Sequence, residues 1–114
     1  MDFTATELKN GISLLKLQGR MDSPGVTAVE TKFSGYCAGE KLKVIVDISG
    51  VDFLASIGIR LLVTNAKSML SRKGKMVLLN PAPDVMGVLE ITDIPAIIPV
   101  YSQFESAEAV LLGY

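Results

Sequence analysis

The chain has 114 residues, of which 49% are hydrophobic and 20% charged, and its mean hydropathy is +0.42. These values exclude a disordered chain and predict one folded domain over residues 1–114. The chain contains no histidine and a single cysteine, Cys37. Histidine-dependent nucleophiles, histidine-ligated zinc and internal disulfides are therefore excluded, and we expect a non-enzyme without a catalytic centre, metal or cofactor.

The charge balance limits the partners of the protein. Eleven Lys and Arg residues against twelve Asp and Glu give a net charge of −1. Nucleic acid binding needs a concentrated basic surface, so we expect no nucleic acid partner. Lys67, Arg72, Lys73 and Lys75 form a local basic cluster, which is typical of the negative end of a helix dipole. No signal peptide and no apolar run of about 18 residues is present, which predicts a cytoplasmic protein without a membrane span.

The N-terminal segment predicts a β-hairpin. Residues 3–8 and 12–17 are strand-like runs. Asn10 and Gly11 between them are the residues favoured in a tight type I′ turn. Gly19 is expected to end the second strand.

The first helix is predicted to follow this hairpin. Ser23 is expected to cap it, and Pro24 to lie in its first turn. Its end is expected near Gly39. The residues of its apolar face are Val26, Val29, Phe33 and Tyr36, at helical spacing.

The rest of the chain alternates strands and helices. The predicted elements are a buried strand over 43–48, a helix over 57–73, a strand over 76–79, a helix over 84–91, a strand over 97–101 and a C-terminal helix. Gly74 is expected as a left-handed cap of the longest helix, and Ser102 with Glu105 as a capping box of the last one. The order β-β-α-β-α-β-α-β-α predicts an α/β fold with a mixed sheet and packed helices.

The most informative segment spans residues 47–60, between the central strand and the longest helix. Binding crevices collect at this position in open α/β sheets. Ser56 is predicted at the helix N-terminus, among unpaired backbone N–H groups. One interpretation is that Ser56 caps the helix. The other is an exposed hydroxyl at which a phosphate, with about −1.5 to −2 charges, would block an interface and leave the fold intact.

A set of short motifs resembles a known family over essentially the whole chain. The motifs are Leu17-Gln18-Gly19-Arg20-Met21-Asp22, Asp47-x-Ser49, Ala55-Ser56-x-Gly58 and Glu105-x-x-x-Ala109. In this order they resemble the STAS domain of bacterial anti-sigma factor antagonists and sulphate-transporter C-terminal domains. The resemblance implies a protein that sequesters an anti-sigma factor, an ATP-dependent serine kinase, until phosphorylation on the signature serine ends binding. It further implies a serine phosphatase that reverses this modification.

The resemblance also assigns residues. Ser56 takes the phosphoacceptor position and Asp22 lies near it. Many family members have Asp before the acceptor and Ser after it, where this chain has Ala55 and Ile57. The expected partner-binding residues are Asp22, Ser23, Ser49, Ser56, Ile57, Gly58 and Arg60.

Two of these residues have alternative explanations. Gly58 either lets a partner backbone approach or packs the helix tightly on the sheet. Arg60 either pairs with a phosphate or partner carboxylate, or faces solvent.

Other functions are compatible with parts of the pattern. One is a STAS interaction module in a stress- or anion-transport-related complex, never phosphorylated, with Ile57 and Ile59 as constant contacts. A receiver phosphorylated on Asp47 would need an acidic pair after the first strand and a Lys after the last, where Tyr101 and Ser102 stand. A nucleotide-binding enzyme would need a glycine-rich phosphate-binding loop, and the sequence contains none. Cys37 lacks a histidine partner and is expected to be buried.

Overall fold

A computed structural model describes residues 1–113. The elements are β1 (Asp2–Glu7), β2 (Ile12–Met21), α1 (Ser23–Tyr36), β3 (Lys43–Leu54), α2 (Ser56–Ser71), β4 (Lys75–Leu79), α3 (Pro83–Ile91), β5 (Val100–Tyr101) and α4 (Phe104–Leu111), with a short 3-10 turn over Ile94–Ala96. The predicted α/β class and element order are confirmed.

The five strands form one mixed sheet in the order β1-β2-β3-β4-β5. β1 pairs antiparallel with β2, whereas the remaining neighbours are parallel. Parallel neighbours require crossovers, which the helices supply. The helices after β2 and β3 therefore both begin at the same edge of the sheet.

Two apolar clusters bury the sheet on its two faces. The larger cluster packs side chains of α1, α2 and α3 against the sheet, and the smaller one packs α4 on the other face. Alternate residues of β3 divide between them, with Val44 and Val46 in the larger cluster and Ile45 in the smaller. The β-branched run is thus covered on both faces, as predicted.

The hairpin turn differs from the prediction. Only Gly11 is left-handed, with φ +84°, whereas a type I′ turn requires positive φ at both central residues. The Gly11 N–H donates to the Leu8 carbonyl (3.1 Å), and the Leu8 N–H donates to the Ile12 carbonyl (2.8 Å). The Asn10 Oδ1 accepts from the Ile12 N–H at 3.3 Å. The loop therefore contains three residues, and the type I′ assignment was wrong.

Two strands are longer than predicted, and one is shorter. β2 continues through Gly19 (φ +109°) to Met21, and β3 continues to Leu54, because the two strands remain paired up to Met21 and Leu54. Gly19 therefore does not end its strand. The last strand is confined to Val100–Tyr101, after the 3-10 turn.

Several predicted helix ends were wrong. Asp22, and not Ser23, is the N-cap of α1, and the helix ends at Tyr36. Gln103 precedes α4 without a side-chain cap, so the predicted capping box of Ser102 and Glu105 is absent. Tyr36, predicted on the apolar face of α1, is 43% exposed.

The end of α2 shows why Gly74 was misassigned. Lys73 takes the left-handed conformation (φ +64°), and Gly74 does not. A Cβ on Gly74 would lie 2.8 Å from the Leu42 carbonyl oxygen. The glycine is needed there for close backbone packing, and the cap is formed one residue earlier.

Candidate functional site

The candidate site lies at the edge of the sheet where β2 and β3 end. Met21 and Leu54 are paired across these strands. The Ala55 N–H donates to the Met21 carbonyl at 3.1 Å. Asp22 and Ser56 therefore follow neighbouring strand ends, and α1 and α2 begin side by side.

Asp22 is held in a fixed position by two hydrogen bonds. Its Oδ1 accepts from the Gly25 N–H at 2.9 Å, which caps α1, and its Oδ2 accepts from the Arg20 Nε at 3.1 Å. These contacts, the Gly25 N–H first and the Arg20 guanidinium second, lower the pKa of the Asp22 carboxyl. A Cβ on Gly25 would overlap the Arg20 carbonyl oxygen, so only glycine fits this first turn of α1. The turn therefore carries a defined negative charge.

Ser56 is the first residue of α2, and it is exposed. Ala55 occupies the N-cap position, and its carbonyl accepts from the N–H groups of Gly58 (3.0 Å) and Ile59 (3.1 Å). The interpretation of Ser56 as an N-cap was therefore wrong. No side-chain hydrogen bond within residues 1–113 involves its hydroxyl. The hydroxyl is free to react or to contact a partner.

The structure brings most of the predicted partner-binding residues to this edge. Ser23 is exposed as the first residue of α1, and Ile57 and Arg60 lie in the first turns of α2, half-buried and exposed respectively. Ser49 is different, since it lies inside β3, five residues before the strand end, roughly 16 Å away along the strand. Its N–H donates to the Asp47 Oδ1 at 2.9 Å.

Gly58 is buried in the interface between α2 and the sheet. A Cβ there would lie 2.8 Å from the Met21 Cβ and 2.9 Å from the Leu54 Cδ1. These distances agree with the tight-packing explanation of this glycine. Gly58 therefore lets α2 pack closely on the strand ends that Asp22 and Ser56 follow.

Sequence reasoning missed one feature of this edge, a stack of Arg20 on Phe53. The Arg20 Cζ lies 4.2 Å from the centroid of the Phe53 ring, which is 42% exposed. Arg20 also forms the one salt bridge found within the described residues, with Asp22. For the salt bridge, the available signal was the two-residue spacing of Arg20 and Asp22, because such residues lie on the same side of an extended segment.

A cleft of about 280 Å³ runs from this edge between α1 and α2. Its lining residues are Val26, Glu30, Ser34, Ile57, Arg60, Leu61 and Thr64. Asn65 lies farther along α2, where its Nδ2 donates to the Ser34 Oγ (3.2 Å) and the Leu61 carbonyl (2.9 Å). The Asn65–Ser34 hydrogen bond joins the two helices at a distance from the candidate site. The cleft separates the helices closer to that site.

Other reactive chemistry is limited in the described residues. No group of three or more Cys, Asp or Glu side chains within residues 1–113 is placed to hold a metal ion. Cys37 is buried, and this burial raises the pKa of its thiol to about 12. None of the helices in that part of the chain has the length and apolar character needed to cross a membrane.

Comparisons with known proteins agree with this architecture. A family model described as the STAS domain matches residues 4–107. BtrV of Bordetella bronchiseptica, whose name assigns it provisionally to the anti-sigma factor antagonists, is 28% identical over 100 residues, covering 88% of this chain and 86% of BtrV.

Solved structures show the same fold. An anti-sigma factor antagonist (STAS) domain protein from Planctomyces limnophilus superposes with a TM-score of 0.87 at 24% identity, covering 99% of this chain and 100% of that one. The Bacillus cell fate determinant SpoIIAA in its phosphorylated form superposes with a TM-score of 0.71 at 19% identity, covering 96% and 99% of the two chains.

Proposed function

Because the chain belongs to the STAS domain family, we propose that it is an anti-sigma factor antagonist switched off by phosphorylation of Ser56. The name of BtrV supports the antagonist function, and the likeness to a protein solved in a phosphorylated form supports the switch. The observation that carries the proposal is the exposed Ser56 hydroxyl, which caps nothing at the N-terminus of α2.

The proposed partner is an anti-sigma factor that is itself an ATP-dependent serine kinase. In the transfer, the Ser56 Oγ attacks the γ-phosphorus of ATP, a new O–P bond forms, and the bond to the departing ADP breaks. The hydroxyl proton goes to a base of the kinase. This chain supplies the acceptor oxygen and is therefore the substrate of the reaction. A serine phosphatase returns Ser56 to its free hydroxyl by hydrolysis.

The phosphate changes the surface far more than it changes the fold. The α2 N-terminus stabilises an anion by only about 0.3–1 kcal/mol, so the phosphate has a small effect on the stability of the fold. A partner that fits the neutral hydroxyl would have to bury about −1.5 to −2 new charges. Such burial is unfavourable without paired cations, so the complex dissociates while the domain stays folded.

The phosphoacceptor is tested by incubating the protein with ATP and the anti-sigma factor of its source organism. We expect one added phosphate by intact mass, absent in Ser56→Ala and retained in the control Ser71→Ala, an exposed serine at the far end of α2. Peptide mapping that finds the phosphate elsewhere, with Ser56 unmodified, would refute the assignment. Binding without any phosphoryl transfer would instead support a constitutive interaction module.

The charge switch has its own test. Ser56→Glu should fold like wild type but bind the anti-sigma factor at least about tenfold more weakly. The matched control is Lys67→Glu, which changes charge at an exposed position of α2 about three turns away. If Ser56→Glu binds as tightly as wild type in a titration, added charge at this position is not the switch.

A further inference from the structure

We propose that the cleft between α1 and α2 receives a helix of the anti-sigma factor, anchored by an apolar side chain and by a carboxylate that pairs with Arg60. This inference rests on the proposed function and adds the docking surface to it. The cleft is lined by Ile57, the residue after Ser56, and by Arg60, one helical turn after Ser56, so it lies close to the candidate phosphoacceptor along α2.

The shape of the cleft suits a short helical segment. Its floor is apolar, formed by the buried Val26 and Leu61 together with the half-buried Ile57. On α1 the lining extends from Val26 to Ser34, which is about 12 Å of helix. Two turns of a partner helix cover this length, and one of its apolar side chains can reach the floor.

The charges on the two rims indicate how that helix is oriented. Arg60 stands on the α2 rim and Glu30 on the α1 rim, and both are exposed. Neither forms a salt bridge within residues 1–113. α2 contains no Asp or Glu, so its rim offers only positive charge. A complementary helix carries an acidic residue on the side facing α2 and a basic residue on the side facing α1.

The position of Ser56 one helical turn before Arg60 explains how a phosphate on Ser56 would release the partner. The cleft lining includes Ile57, next to Ser56 in the first turn of α2, and the Asn65–Ser34 hydrogen bond ties the helices together farther along. A phosphoryl group on Ser56 would stand one turn from Arg60. It would compete for the Arg60 guanidinium and repel the partner carboxylate.

Filling the cleft tests the docking surface directly. Thr64 lies on the exposed rim, so Thr64→Phe places a ring over the cleft without disturbing the core. Its control is Ser71→Phe, an equally exposed position at the end of α2 outside the cleft. By calorimetric titration with the purified anti-sigma factor, Thr64→Phe should bind at least about tenfold more weakly than Ser71→Phe.

Charge reversal tests the role of Arg60. Arg60→Glu should weaken binding at least about tenfold, whereas Lys67→Glu, an exposed cation outside the cleft, should stay within about twofold of wild type. All variants are checked for wild-type circular dichroism and melting. Methyl NMR should show the signals of Val26, Ile57 and Leu61 shifted or broadened by the bound partner.

The outcomes separate the two proposals. If wild type binds and Ser56→Glu does not, but Thr64→Phe and Arg60→Glu bind as well as their controls, the cleft is not the docking surface and the proposed function stands. Tighter binding by Thr64→Phe would also overturn the inference. If wild type fails to bind the anti-sigma factor at all, the proposed function fails and the inference falls with it.

Discussion

The polar side chains at the two ends of the parallel strands differ in whether they form contacts within the chain. At the end where β3 and β4 begin, the guanidinium of Arg72 donates to the Cys37 carbonyl (2.7 Å), the Gly39 carbonyl (3.1 Å) and the Ser68 Oγ (2.6 Å). Backbone bonds join the same loops, since the Lys41 N–H donates to the Arg72 carbonyl at 2.9 Å. This end is closed by contacts within the chain.

At the opposite end, the comparable groups face solvent. Ser56 caps no helix, and Arg60 stands exposed on the rim of the cleft. Only Asp22 is fixed, by the Gly25 N–H and Arg20. The difference shows that Arg72 holds the chain together at one end, whereas at the other end Ser56 and Arg60 form no side-chain hydrogen bond or salt bridge within the described residues. Substitutions at the two ends should therefore separate stability from binding.

The largest expected effect is a loss of stability in Gly25→Ala. The new Cβ would overlap the Arg20 carbonyl oxygen, which belongs to the backbone and cannot rotate away. Overpacking of this kind costs about 3 kcal/mol in the free energy of unfolding. Urea denaturation measures it. In the control Gly35→Ala, no atom lies within 4 Å of the new Cβ, so a gain of about 0.5 kcal/mol is expected.

This substitution also tests whether the first turn of α1 holds Asp22 in a fixed position. If Gly25→Ala is as stable as wild type, then the first turn of α1 adjusts freely, and Asp22 is not fixed as the hydrogen bonds indicate. Asp22 would then be as unconstrained as Ser56, and the two residues would not differ in this respect.

A smaller effect is expected for Arg72→Met at the closed end. The substitution keeps much of the aliphatic stem but removes three hydrogen bonds, leaving the carbonyls of Cys37 and Gly39 without that donor. We expect a loss of about 1–3 kcal/mol in the free energy of unfolding. Lys67→Met, on the exposed face of α2, is the control and should remain within about 0.5 kcal/mol of wild type.

The affinity of Arg72→Met for the anti-sigma factor tests whether this end of the sheet also takes part in binding. Arg72→Met should bind the anti-sigma factor with wild-type affinity at a temperature where it is folded, because Arg72 lies at the far end of α2 from Ser56. A loss of affinity without a loss of stability would show that the closed end also contacts the partner.

The sequence predicted the element order and most of the residues that lie at the candidate site, with Ser49 as the exception because it lies inside β3. Hydrophobic spacing identified α1 and α2 because each buries one face, whereas β3 was identified by a β-branched run that is buried on both faces. The proximity of Asp22 to Ser56 was implied by the resemblance to the STAS domain. In the structure, Asp22 lies one residue and Ser56 two residues beyond the Met21–Leu54 pair.

Other features depend on contacts between distant residues, which periodicity does not report. The extension of β3 to Leu54 follows from its pairing with β2. Gly74 looked like a left-handed cap, but the approach of Leu42 requires a glycine there and leaves the cap to Lys73. The cleft was not predictable, because it depends on how the side chains of α1 and α2 pack against each other.

The smallest expected effect is a pH dependence at Asp22. Hydrogen bonds from Gly25 and Arg20 hold the pKa of Asp22 below its usual 3.8, so its carboxylate stabilises the fold above that pH. The contribution should be lost as the pH falls through the lower pKa of the folded state. Below that pH the protonated acid resembles an amide. The stability difference between wild type and Asp22→Asn should therefore be constant near neutral pH and shrink in acid.

Arg20→Gln tells which contact is responsible for this pH dependence. The variant removes the salt bridge but keeps the Gly25 N–H bond, which is the larger cause of the lowered pKa. We therefore expect Arg20→Gln to retain most of the pH dependence of wild type. Adding 1 M salt should have little further effect on this variant, because it no longer has the Arg20–Asp22 ion pair that salt would screen. If Arg20→Gln behaves like Asp22→Asn, the charge of Arg20 and not the helix cap fixes Asp22. The open end would then depend on a solvent-exposed ion pair, and its geometry would change with ionic strength, unlike the hydrogen-bonded end at Arg72.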